Sequence, residues 1–153
     1  MGMRWLDYAE GELGQRELRG AKHNPRILGY HATTSLGDWG RSRDEVAWCS
    51  SFVNWCFVKA GVEGTDNALA RSWLRWGRKV ELEDWELGDV MVIKRKKRGA
   101  DKRTGSRGGY HVGFPYRVTG RYVLLLGGNQ SDSVCFSRYR WRRYLHVGLR
   151  RAL

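Results

Sequence analysis

Trp48-Cys49-Ser50-Ser51-Phe52-Val53-Asn54-Trp55-Cys56-Phe57-Val58-Lys59-Ala60-Gly61 is the stretch that decides how this chain folds. Phe52, Val53, Cys56, Phe57 and Ala60 fall at i, i+1, i+4, i+5 and i+8, the spacing that lays an apolar stripe along one side of an α-helix. Asp44 and Glu45 precede it, and carboxylates favour a helix N-terminus. Gly61 follows where a left-handed cap is usual. Cys49 then sits in the first turn, where unpaired N–H groups and the helix dipole favour thiolate over thiol. Cys56, two turns on and inside the stripe, reads as an inert core residue.

Working outward, Trp5, Leu6, Ala9 and Leu13 repeat at helical spacing, with Gly11 and Gly14 arguing for a short helix. Asn24-Pro25 opens another short helix through Leu28. From His31 to Arg43 no periodicity appears, which predicts a surface loop. Downstream, Asp66–Trp76 reads as a helix stopped by Gly77. Leu87-Gly88-Asp89 is a turn before the buried strand Val90-Met91-Val92-Ile93. Residues 94–109 form a basic, glycine-rich stretch expected to be a long mobile loop. Tyr110–Val118 and Arg121–Leu126 are strand-like and joined at Thr119-Gly120, and a third strand is expected over Val134–Phe136. Helices followed by antiparallel strands predict an α+β fold, with N-terminal helices packed on a small antiparallel sheet.

The 153 residues suit one domain, 1–153, with a real hydrophobic core, and no apolar run is long enough to span a membrane as a helix. No secretory signal is visible at the start, so the expectation is synthesis in the cytoplasm. Three scattered cysteines and four scattered histidines make neither a disulfide framework nor a zinc site, and no metal or cofactor is expected. The net charge of +12 is uneven: residues 1–90 hold 12 Lys/Arg and 14 Asp/Glu, residues 91–153 hold 16 and 2. Such asymmetry points to a polyanionic partner. The segment 138–153 mixes cations with aromatics, either as an interfacial surface or as an ordinary strand or helix with solvated arginines.

A nucleophilic thiolate needs a base, and the base needs an orienting group. His111 follows the Gly108-Gly109 break at the start of a strand, with Tyr110 and Val112 facing the other way across the pleat. Asn129 follows the next strand, eight to nine residues out from the same turn, where an amide oxygen could hold the imidazole tautomer. Taken alone, these residues are equally readable as a core cysteine, a satisfied histidine and a turn asparagine.

Ala47-Trp48-Cys49-Ser50-Ser51-Phe52-Val53-Asn54, Ala68-Leu69-Ala70-Arg71-Ser72-Trp73, Leu87-Gly88-Asp89-Val90, His111-Val112-Gly113-Phe114 and Leu126-Gly127-Gly128-Asn129-Gln130-Ser131-Asp132 occur in an order and spacing that resemble the CHAP/NlpC-like cysteine peptidases. These are papain-like enzymes that cut peptidoglycan, and the match is closest to small phage and prophage members of the endolysin type. Glu17, Gly20 and Asn24-Pro25-Arg26-Ile27 extend the resemblance over most of the chain. It implies a papain-like fold with Cys49 as nucleophile, His111 as base and Asn129 as the third polar residue. Trp48, Ser72, Trp73, Tyr110 and Gln130 become candidate substrate-binding residues. Staphylococcal-phage relatives often carry a Glu two residues before that Asn, where this chain has Gly127. The implied protein is a monomeric peptidoglycan amidase or endopeptidase, reaching the wall after holin-type release or delivery. Its basic half would hold anionic envelope polymers or a lipid surface. The competing readings are a basic nucleic-acid-binding module and a non-catalytic papain-like scaffold.

Overall fold

A computed structural model describes residues 4–18, 23–35 and 47–153. The Asp44-Glu45 pair and the expected loop beyond Ser35 lie outside the described residues. Among the described residues three α-helices come first: α1 (Arg4–Gly11), α2 (Pro25–His31) and α3 (Cys49–Lys59). Helix α2 is capped by Asn24, whose Oδ1 accepts the Arg26 N–H at 2.9 Å, and Pro25 occupies a first-turn site that has no N–H to satisfy. Buried Glu12 binds α2 to the end of α1, taking the Tyr30 hydroxyl at 2.8 Å and Arg26 Nε at 3.0 Å. Gly61 ends α3 at φ +73, a conformation that a side chain would resist. The expected helix at 66–76 is a 3₁₀ turn over Ala70–Arg75. Its residues are drawn into place by Trp73, fully buried and donating through Nε1 to Ser50 Oγ at 2.8 Å.

Six strands follow: β1 (Arg78–Lys79), β2 (Val90–Arg95), β3 (Tyr110–Val118), β4 (Tyr122–Gln130), β5 (Ser133–Arg140) and β6 (Tyr144–Arg151). They form one antiparallel sheet in the order β1-β6-β2-β3-β4-β5. The strand expected at 134–136 is longer, and the basic aromatic tail is itself a strand of the sheet. Strands β5 and β6 lie four positions apart, which in a flat sheet is roughly 19 Å. Only residues 141–143 join them, a span of about 15 Å at most. The sheet therefore curls, and the Tyr139 and Tyr144 rings meet at 4.9 Å.

Curling gives the sheet two cores. On the convex side, Phe52, Val53, Cys56 and Phe57 of α3 pack on Val90, Val92, Val112, Phe114 and Leu126. Each fully buried large side chain there stabilises the fold by about 2 kcal/mol. On the concave side, Met91, Ile93, Val123, Leu125, Tyr139, Tyr144 and Leu149 face one another. The turn before β2 is held by Asp89, 1% exposed, which takes Arg151 Nε at 2.7 Å and Nη2 at 3.0 Å.

The basic stretch between β2 and β3 is docked, contrary to the mobile loop expected. Asp101 is buried, accepts from the Tyr144 hydroxyl at 2.7 Å and lies 3.7 Å from Arg95. Arg103 spreads over the Tyr139 ring at 4.2 Å and donates to Ser137 Oγ and the Arg138 carbonyl. One buried carboxylate and one stacked guanidinium turn a glycine-rich loop into a plug over one end of the curled sheet.

Candidate active site

Strands β3 and β4 are paired only from Phe114–Leu126 outward to the turn. Beyond that rung, residues 110–113 pair with β2 alone, and β4 breaks register with β5 between Gly127 and Gln130. This leaves a seam in the wall of the curled sheet. Two glycines line it. A Cβ on Gly128 would lie 2.7 Å from the Trp48 ring and 2.8 Å from Phe52 Cβ, so the start of α3 is pressed against the outside of the seam. A Cβ on Gly127 would lie 2.7 Å from Gln130 Oε1 and 3.5 Å from His111 Nε2, so the imidazole stands on the inside.

His111 is opposite Ile93 across the β2–β3 ladder and therefore shares its concave face. Its ring is fully buried, 5.3 Å from that of Tyr139. Nε2 is 2.9 Å from Gln130 Oε1, with the Tyr139 hydroxyl at 3.4 Å. The orientation of the Gln130 amide is set by its other end: Nε2 donates to the Cys135 carbonyl at 2.6 Å and to the Leu125 carbonyl at 3.3 Å. With both amide protons directed at carbonyls, the oxygen faces the ring, so His111 Nε2 carries the proton and donates it. Nδ1 is then the bare nitrogen, and it has no hydrogen-bond partner among the described residues. Burial drives the His111 pKa down to about 4, with Gln130 and then Asp101 opposing the shift. At neutral pH the ring is an uncharged imidazole with its basic nitrogen uncommitted.

Cys49 is the first residue of α3 and is buried on the convex side. The backbone N–H groups of Val112, Ser50 and Cys49 itself are near enough to its sulfur to favour the thiolate. The Val112 N–H belongs to the peptide that links it to His111, so thiol and imidazole are brought to the same peptide unit from opposite sides of the seam. No hydrogen bond joins Sγ to Nδ1, and such contacts are often long before substrate arrives. Burial pushes the Cys49 thiol up to about 11 despite those three N–H groups. This corrects the expected thiolate: desolvation outweighs the helix dipole, and the resting pair is thiol and neutral imidazole.

The third polar residue also differs from expectation. Asn129 does not reach the ring. It adopts a left-handed φ of +56, and its side chain lies against Gly105 of the docked loop, where a Cβ would come within 2.5 Å of Nδ2. That left-handed step, which Asn tolerates better than most residues, turns Gln130 inward in its place. Gln130, expected at the substrate, is fully buried and bound to His111. Trp48 and Trp73, also expected as groove walls, are fully buried core residues, Trp48 donating to Glu17 Oε1 at 2.7 Å. Ser72 and Tyr110 are partly exposed. Among the described residues, no group of three or more His, Cys, Asp or Glu side chains could hold a metal ion.

No family model and no curated protein matches this chain. Solved structures do. NlpC2 from Trichomonas vaginalis superposes with a TM-score of 0.52 at 14% identity, over 98% of this chain and 45% of that protein. The P60 domain of an antigen from M. avium paratuberculosis gives 0.51 at 17% identity, over 98% of this chain and 91% of that one. The chain thus spans under half of the first of these proteins and nearly all of the second. The curled antiparallel sheet, with α3 laid across its β3–β4 seam, is the papain-like α+β fold of the NlpC/P60 proteins.

Proposed function

We propose that this protein is a cysteine-dependent peptidoglycan hydrolase of the endolysin type, cleaving an amide bond with Cys49 as nucleophile, His111 as base and Gln130 as the residue that orients it. One observation carries the reading. The Gln130 amide fixes the His111 tautomer so that Nδ1 is left without a partner among the described residues, on the residue next to Val112, whose N–H acts on the Cys49 sulfur. The order of sequence blocks shared with CHAP/NlpC-like peptidases supplies the substrate class.

In the reaction, Nδ1 takes the thiol proton as sulfur attacks the amide carbon. The Cys49 N–H, which has no intrahelical acceptor at the start of α3, turns to the oxyanion as the sulfur is consumed in the bond. The imidazolium then protonates the departing amine, and the C–N bond breaks to leave a thioester. Water, deprotonated by the same nitrogen, attacks the thioester carbon and releases the acid with the thiol restored. The neutral resting pair makes proton transfer concerted with attack, since neither partner is ionised beforehand.

The basic half serves to hold the enzyme on an anionic envelope. After residue 90 there are only two carboxylates, and Asp101 is buried. Arg117, Arg121, Arg138 and Arg140 are exposed and carry no carboxylate partner among the described residues. The test is digestion of purified peptidoglycan with mass spectrometry of the released fragments. Wild type should release fragments with one new amine and one new carboxylate end. Cys49→Ala should release none, and release by that variant would overturn the reading.

A further inference from the structure

A groove of about 730 Å³ has Thr65, Asn67, Arg71, Ser72, Arg75 and Trp76 on its walls. It is built onto both halves of the site. The Asn67 carbonyl accepts from Ser50 Oγ at 2.6 Å, and Ser50 adjoins Cys49. Arg71 lies over the ring of Tyr110 at 5.4 Å, and Tyr110 adjoins His111. Lys94 approaches the same ring at 5.7 Å.

Among the described residues the groove is lined by two cations, Arg71 and Arg75, and by no Asp or Glu. Asp66, between two lining residues, is engaged at Oδ1 by Asn54 Nδ2 at 3.1 Å. Arg71 and Arg75 are exposed and have no carboxylate partner among the described residues. The neutral groups complement them. Thr65 Oγ1 accepts from Ser72 Oγ at 2.9 Å and from the Asn67 N–H at 3.3 Å, which leaves its own proton to donate. Guanidinium groups, a hydroxyl donor and an adjacent aromatic face make a receptor for a planar anion, and arginine meets a carboxylate through two parallel N–H bonds.

We infer that this groove is a subsite for a free carboxylate on the peptide strand being cut, placed a residue or so from the scissile bond and bound chiefly by Arg71. The inference rests on the hydrolase reading for the identity of the ligand as a stem peptide, and it makes the enzyme selective between stems whose side carboxylates are free and those in which they are amidated.

Two synthetic muropeptides, identical except for one stem carboxylate that is free in one and a carboxamide in the other, test it. Binding is measured by calorimetry on the full-length Cys49→Ala protein, so that no turnover intervenes. The acid should bind at least tenfold more tightly than the amide. Adding Arg71→Gln should bring the ratio close to one, and Arg71→Glu should invert it. Equal affinities for acid and amide in the Cys49→Ala protein would overturn the subsite, even with wild type digesting cell walls. Wild type that binds the acid preferentially yet cleaves neither compound would instead overturn the hydrolase reading and leave the subsite standing. A ratio unchanged by both Arg71 substitutions would overturn the assignment to that residue.

Discussion

The His111 ring should make this protein sensitive to mild acid, by an amount the structure sets. In the unfolded chain a histidine titrates near 6.5, whereas in the fold burial holds His111 to about 4. Between those values the unfolded state binds a proton that the folded state refuses, so stability falls as pH falls through that window. The full difference corresponds to about 3.4 kcal/mol, of which roughly 2.5 kcal/mol is lost between pH 7.5 and pH 4.5. Carboxylates and the half-buried His146, whose pKa is also lowered by burial, contribute to the total. Comparison with His111→Gln isolates the one ring, because glutamine fills similar space, keeps a donor for Gln130 and has no proton to gain. Urea unfolding followed by tryptophan emission at the two pH values should show wild type losing about 2.5 kcal/mol more than the variant. Parallel losses in the two proteins would refute the claim that the ring is sealed as neutral imidazole, and with it the bare Nδ1 on which the mechanism depends.

The same pair of shifts predicts that kcat/KM on soluble muropeptides stays level through neutral pH with no inflection near 6.5, since His111 is pushed down to about 4 and Cys49 up to about 11. Gln130→Ala leaves a buried ring N–H unsatisfied and should cost about 2 kcal/mol in urea unfolding and about a hundredfold in turnover, with Gln130→Glu retaining more of both. Gly128→Ala drives a methyl into the Trp48 ring and Phe52 and should destabilise by about 2 kcal/mol, readable as a lower unfolding midpoint. Replacing exposed Arg138 and Arg140 together by Gln should weaken retention on purified walls and flatten its dependence on salt, with hydrolysis of a small uncharged muropeptide serving as the control.

Much of the fold is written in local patterns. The stripe from Phe52 to Ala60, the Asn24-Pro25 start and the Thr119-Gly120 turn each depend on near neighbours, and helix, cap and hairpin stand where those neighbours put them. What escaped prediction depends on residues far apart in the chain. The loop after β2 looks mobile because its own composition is glycine and charge; Tyr144 and Tyr139, some forty residues on, are what hold Asp101 and Arg103. The 138–153 segment reads ambiguously because alternate burial is masked by arginines on the outer positions. The spacing points to Asn129 as the partner of the His111 ring, whereas Gln130 meets it, because a left-handed step reverses which side chain points inward. Asn after two glycines was the available signal for such a step. The ionisation of Cys49 was misjudged for a related reason: a helix start is visible in sequence, but the depth at which it is buried is not.

The pair of glycines at 127 and 128 leaves a gap where strands would ordinarily zip shut, and Cys49 and His111 lie on the two sides of it. Thermostability and reactivity are therefore in competition at this spot. A substitution that let β4 close onto β3 by two further rungs would add backbone hydrogen bonds and harden the barrel, and it would also wall off the sulfur from its proton acceptor. If the proposed hydrolysis is its task, evolution toward a sturdier protein has to find its improvements elsewhere.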